Sequence, residues 1–221
     1  MIKKVKGFLK LSEEDLLMIV LAFMSFSIGI WRNYRQLWLE NVGFDVQSIS
    51  RVLSIALTCS AIISFVISIY STRVKVKNVI VLTGTLRALA MLVLLLNSNA
   101  YIIKVCMLVC IMCETTFSIA FYPLLTTVNK EKKAFAKQAL INYIAKDAGV
   151  IVCGLLIGVT VGNIIFDYNS CLFLAMISTI LSILFLMLFN GNKTYNKRNV
   201  LPLKKALKNL IKSRVNNYFL F

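Results

Sequence analysis

Six long apolar runs, separated by short connections that are alternately rich and poor in lysine, constrain this chain more than any other feature. The first uncharged stretch, Leu16 to Ile30, reads LLMIVLAFMSFSIGI and runs for fifteen residues. A helix needs about 20 mostly apolar residues to cross a hydrocarbon core about 30 Å thick. The spans read on this basis are Leu16–Leu39, Gln47–Ile69, Asn78–Leu96, Tyr101–Leu125, Ala139–Ile165 and Ser170–Phe189. The chain is 59% hydrophobic, above the roughly 45–50% of soluble domains, and its mean hydropathy is +0.80. A water-soluble fold of 221 residues has too little interior to hide six such runs. The expected class is all-α: a polytopic membrane protein with a six-transmembrane-helix bundle over residues 1–190.

The charges sort by connection. Lys3, Lys4, Lys6 and Lys10 precede the first span; Arg73, Lys75 and Lys77 follow the second; Lys130, Lys132, Lys133 and Lys137 follow the fourth. The tail from Lys193 to Arg214 is basic throughout, and these four groups hold 19 of the 25 basic residues. The other connections offer Glu40, Asp45 and Asp167, with only Arg51 and Lys104 near them. Lysine and arginine accumulate in cytoplasmic loops, so the N-terminus and the tail are expected to be cytoplasmic in a plasma membrane. The net charge of +16 then reflects topology and contact with anionic lipid headgroups, and no nucleic-acid partner is expected.

The N-terminus MIKKVKGFLKLSEEDLLMIV begins like a signal peptide. Glu13, Glu14 and Asp15 interrupt it, and no small-x-small cleavage site follows. The first run is therefore expected to stay as a membrane helix. In LPLKKALKNLIKSR, Leu203, Leu207, Leu210 and Ile211 share one helical face while the lysines lie elsewhere. Residues 191–214 thus read as a basic cytoplasmic connector with an amphipathic helix on the membrane surface, and 215–221 as the start of a truncated seventh span.

The six cysteines lie in or beside apolar runs, which argues against a disulfide framework. Cys110 and Cys113 read C-x-x-C, but with Cys106 they follow helical spacing and form a polarizable packing stripe. The chain has no histidine, and a zinc site normally needs four ligands. No nucleophile–base pair, G-x-S-x-G or glycine-rich phosphate loop is present. No enzyme activity, metal site or cofactor is expected.

Six spans with both ends on one side, then a basic connector and the start of a seventh span, form a layout that resembles the N-terminal half of a major facilitator superfamily transporter. Leu39 to Ile55, LENVGFDVQSISRVLSI, is similar to that family's passage from span one to span two. The connection after span two occupies the place of the family's G-x-L-x-D-R-x-G-R-K motif. Here the register reads Ser68, Tyr70, Thr72, Arg73, Lys75, Val76 and Lys77. Arg73 and Lys77 match, whereas the glycines and the aspartate are missing, so the charge pairing attributed to that aspartate does not carry over. Span five contains Gly149 and the ridge Gly154, Gly158, Gly162, which lets another helix approach closely. The resemblance places such a ridge where the two halves of the family meet; it serves either gating there or packing within this half. Members pair two six-helix bundles around a site at mid-membrane depth. One bundle alone implies a half or truncated transporter, a homodimer, or a protein that has left transport for another role.

Ionisable residues inside a bilayer are costly and usually face a protein interior or an aqueous cavity. Arg32 lies about 24 Å along the first span and Arg35 one turn further. Both either snorkel to the outer headgroups among Trp31, Tyr34 and Trp38 as an aromatic belt or line a cavity as a patch suited to a carboxylate or phosphate. Arg87 and Glu114, about 13 Å and about 20 Å into antiparallel spans joined by NSNA, reach similar depth. They form either a structural pair or a coupling carboxyl with its partner. Lys146 and Asp147 read as lying near the inner end of span five, where Lys146 can snorkel and Asp147 is a second ion-coupling candidate. The expected function is secondary active transport of a small solute, possible proton coupling included, with substrate binding by Arg32, Arg35 and Arg87. The alternative is a non-transporting six-helix accessory or immunity protein.

Overall fold

The computed structural model describes residues 12–70, 75–128, 131–157, 160–161, 164–165 and 167–189. These form α1 (Glu13–Asn41), α2 (Val46–Tyr70), α3 (Val76–Leu96), α4 (Ala100–Thr126), α5 (Glu131–Leu156), the short strands β1 (Thr160–Val161) and β2 (Ile164–Ile165), and α6 (Tyr168–Leu188). All six helices are long and apolar enough to cross a membrane. The connector expected over 191–214 and the seventh span at 215–221 lie outside the described residues, as does Arg73.

Local chemistry starts and stops the helices. Ser12 caps α1 in a capping box: the Asp15 N–H donates to Ser12 Oγ at 3.1 Å, and the Ser12 N–H donates to Asp15 Oδ2 at 3.2 Å. At the far end, the Phe44 N–H reaches the Leu39 carbonyl and the Gly43 N–H reaches that of Glu40. Gly43 takes φ +99° to close this Schellman turn. Asp45 then caps α2 by accepting from the Ser48 N–H at 3.2 Å. The hydrogen bonds from Ser48 hold the Asp45 carboxyl below its ordinary pKa. Asn99 and Asp167 cap α4 and α6. Pro123 neither ends α4 nor lies beyond it: the helix continues one turn to Thr126.

Span five differs from its expected bounds. The helix begins at Glu131 and ends at Leu156, so it starts eight residues before the expected Ala139 and stops well before Ile165. Four β-branched residues follow instead as a small antiparallel ladder, Thr160 opposite Ile165 and Val161 opposite Ile164. The apolar content of this stretch looked like helix, and the charged EKKAFAK stretch before it looked like loop. Helix propensity in the latter and β-branching in the former decide otherwise.

α1 packs against both α5 and α6; α6 also packs on α3, α3 on α4, and α4 on α2. Between α1 and α6 runs a ladder of small hydroxyls. Ser27 donates to the Ala175 carbonyl at 2.7 Å, Ser178 to that of Phe23 at 2.7 Å and Ser182 to that of Val20 at 2.9 Å. Small hydroxyl residues of this kind hold membrane helices close. Between α1 and α5 the backbones nearly touch: a Cβ on Gly29 would lie 2.2 Å from the Lys146 carbonyl oxygen, and one on Gly149 2.5 Å from that of Phe26. α2 and α5 end the packed series and keep broad apolar faces exposed, including Ile55, Ile62 and Phe65 on α2 and Leu140, Ile144 and Leu155 on α5.

The lysine-rich end is tied by polar links. Lys77 donates to the Phe189 carbonyl just past the end of α6, and Lys137 of α5 pairs with Glu14 of α1. A cation placed on unpaired carbonyls suits a helix C-terminus. At the opposite end, Cys153 of α5 and Cys171 of α6 form a disulfide across a Cα separation of 6.1 Å. This corrects the expectation of no disulfide. Lying in an apolar run does not separate two cysteines when the connection between their helices folds back on itself. Cys110 and Cys113 are free and buried, in keeping with a packing stripe.

Candidate functional site

The buried apolar side chains form two clusters, one toward each end of the bundle. Between them lies a polar layer. Arg87, Glu114 and Thr179 each sit one residue past the midpoint of α3, α4 and α6 respectively. Each helix therefore passes from one apolar cluster to the other at the same level: Ile80 to Ala90 on α3, Phe117 to Ile111 on α4, Leu186 to Met176 on α6.

Arg87 is fully buried and Glu114 is 7% exposed. The guanidinium Nη2 lies 3.3 Å from Glu114 Oε1, and the short α3–α4 connection makes the pairing possible. Nη1 lies 3.4 Å from both Thr179 Oγ1 and Met24 Sδ. Nε has no hydrogen-bond partner. A guanidinium carries five N–H donors, so a single carboxylate oxygen, a hydroxyl and a thioether leave it under-satisfied.

α1 and α5 bring further cations to this carboxylate. Arg35 is half-buried, with its Nε enclosed and unpartnered, and it lies within electrostatic reach of both Glu114 and Arg32. Lys146 is half-buried and within reach of Arg32 and Glu114. Its backbone meets α1 at Gly29, one turn from Arg32. Arg32 itself is exposed. Three cations thus converge on one carboxylate, with Arg32 beside two of them. Asp147, next to Lys146, is exposed. Gly154 is exposed too, and a Cβ there would meet only the Tyr34 hydroxyl at 2.8 Å; Gly158 and Gly162 lie outside the described residues.

Two readings change with this geometry. Trp31 and Trp38 form no membrane-surface belt: both are buried and meet edge to face at 5.7 Å between ring centroids. Trp38 Nε1 donates to Asn169 Oδ1 at 2.8 Å, while the Tyr34 hydroxyl donates to the Val150 carbonyl at 3.3 Å. The face of α1 that carries them packs on α5 and α6 and is not offered to headgroups. Lys146 is also no inner-end residue. With the membrane-length part of α5 beginning at Phe135, it lies about 17 Å along that part. The displaced boundary of span five hid it, and a helix bound drawn through EKKAFAK would have found it. Thr179 and Met24 had no sequence signal beyond their position at mid-span.

A separate groove of 410 Å³ between α1, α5 and α6 is lined by residues such as Phe23, Phe26, Ala148 and Leu174. It carries no charged group and suits hydrocarbon, not a polar solute.

No curated protein matches the chain. The family model described as Major Facilitator Superfamily matches residues 13–220, nearly the whole length and all six helices, and the chain therefore belongs to the major facilitator superfamily of membrane transporters.

Proposed function

We propose that this protein moves a small solute across the plasma membrane as a secondary transporter, with the Arg87–Glu114 pair at its coupling centre. The observation that carries the reading is that pair: a buried arginine and carboxylate in the middle of adjacent spans, in a family of transporters. A buried pair is costly to desolvate and contributes little net stability, so its presence at mid-depth favours function. We place the solute cavity among α1, α3, α4 and α5; Arg32, Arg35 and Arg87 bind the solute, Glu114 carries the coupling ion, and Asp147 is a second coupling carboxylate. An ion gradient, the proton gradient among them, supplies the energy.

The lysine-rich end faces the cytoplasm and its anionic headgroups. Two independent features support this: the distribution of lysine and the Cys153–Cys171 disulfide at the opposite end, which suits an oxidising exterior. The exposed faces of α2 and α5 receive a second six-helix body, another half or a second copy, and Gly154 of α5 takes part in that contact.

Uptake of a panel of radiolabelled small solutes into vesicles tests the coupling role. With Glu114→Gln, gradient-driven accumulation falls at least tenfold while solute exchange without a gradient persists. Unchanged accumulation would remove Glu114 from the coupling role.

A further inference from the structure

The hydrogen-bond balance of the charged layer is lopsided. Three of the buried polar atoms without partners are N–H donors grouped along α1 and α3: Trp31 Nε1, Arg35 Nε and Arg87 Nε. Arg35 is one helical turn beyond Trp31, and Arg87 shares Glu114 with Arg35. The other unpartnered atoms among the described residues are the Ser60 hydroxyl of α2, which both donates and accepts, and a single acceptor, Gln138 Oε1, beside Ser118 on the lysine-rich side of Glu114. What this layer lacks is acceptor atoms and negative charge. Buried donors are normally satisfied, and leaving a charged one unsatisfied costs more than leaving a neutral one.

The charge balance points the same way. Within reach of Glu114 stand Arg87 from α3, Arg35 from α1 and Lys146 from α5, and exposed Arg32 lies within reach of Arg35 and Lys146; the thiols Cys110 and Cys113 are the nearest titratable groups on its own helix. The charged residue of α2, Arg51, lies one turn from the start of that helix, toward the disulfide-bearing end. Two positive charges are therefore in surplus at the carboxylate, and the exposed Arg32 adds a third at its edge. Like charges held together in a low-dielectric setting repel one another strongly, and an anion relieves that repulsion while supplying the missing acceptors.

Resting on the transport reading above, we propose that the solute is a small anion carrying at least two negative charges, with phosphate or carboxylate oxygens, held by Arg32, Arg35 and Lys146. Lys146 is the specificity-determining member. It comes from α5, so an anion bridging it to the α1 arginines links the two helices whose backbones cross at Gly29. Arg87, engaged with Glu114 through Nη2, forms the inner wall of the site and offers its unpartnered Nε to the same anion.

The chain in nanodiscs of neutral phosphatidylcholine, titrated with inorganic phosphate and with succinate in a calorimeter, tests the proposal, with glycerol as the uncharged control. Both dianions bind and glycerol does not. Lys146→Met and Arg35→Gln each weaken binding by about tenfold, the effect of losing one charge-assisted contact. Lys146→Arg keeps the affinity, Arg51→Gln leaves it unchanged, and Glu114→Gln strengthens it several-fold because the competing carboxylate charge is gone. Gel filtration of each variant reports whether it is folded, and Lys146→Arg supplies a folded reference if Lys146→Met is not. Absence of binding by both dianions, or binding that is indifferent to Lys146→Met and Arg35→Gln, overturns the proposal. So does affinity confined to phosphatidylglycerol, with none for free dianions, which would make the layer a lipid headgroup site. Gradient-driven uptake of a neutral solute without anion binding defeats this inference and leaves transport standing. Anion binding without any uptake does the reverse.

Discussion

The single carboxylate that Arg87, Arg35 and Lys146 share should matter more to stability than any one of those cations, and the pair Glu114→Gln and Arg87→Met measures the difference. At 3.3 Å and an effective dielectric of about 20, the Coulomb attraction within the pair is about 5 kcal/mol. Removing one partner of a buried pair costs about 3–5 kcal/mol, because the other is left buried and uncompensated. After Arg87→Met, Glu114 still has Arg35 and Lys146 within reach, so the loss falls near the lower end, about 3 kcal/mol. After Glu114→Gln, Arg87, Arg35 and Lys146 face one another without a counter-charge, and the loss falls near the upper end, about 5 kcal/mol. Unfolding in mixed micelles titrated with sodium dodecyl sulfate, followed by tryptophan fluorescence, reads both. Inorganic phosphate in the buffer should recover part of the Glu114→Gln loss and little of the Arg87→Met loss. If Arg87→Met costs as much as Glu114→Gln or more, the proposed surplus of positive charge is wrong.

Three further outcomes follow from the packing and the disulfide. Gly149→Ala places a methyl 2.5 Å from the Phe26 carbonyl oxygen, where only backbone can yield, whereas Gly154→Ala meets the movable end of Tyr34. In the same micelle titration the first should lose about 1–3 kcal/mol, and the second should stay within about 0.5 kcal/mol of the parent. Thiol counting with a maleimide mass tag on the denatured chain should find the four cysteines that are free in the structure before reduction and two more, Cys153 and Cys171, after it. Loss of that bridge through Cys153→Ser should lower stability by about 3 kcal/mol, since the bridge closes a loop of 18 residues.

The bundle was legible because a bilayer imposes a simple rule: length and apolarity mark a span, and all six appear. Arg87 and Glu114 were legible by counting depth along antiparallel helices, and the structure joins them. Lys146 was misplaced because apolarity cannot fix the ends of α5, whose first turns are charged and whose apolar continuation is a ladder. The disulfide was missed because spacing along the chain says nothing about two helix ends brought together by an irregular connection. The tryptophans were misread because the hydropathy of α1 does not reveal which of its faces meets α5 and α6. The serine ladder had no signal at all: Ser27, Ser178 and Ser182 look neutral until their carbonyl partners are known.

The account depends on the charged layer opening to water on the side shared by α1, α4 and α5. Ser118 is exposed one turn from Glu114 and beside Gln138 of α5, whereas Ile177 of α6 lines the apolar groove. With Cys59, Cys106, Cys110 and Cys113 replaced by alanine, a charged, membrane-impermeant methanethiosulfonate reagent should modify Ser118→Cys, and phosphate should slow that reaction. Ile177→Cys should be inert. Equal reactivity at the two positions, or an inert Ser118→Cys, would contradict a water-filled path to Glu114 and with it the transport site described above.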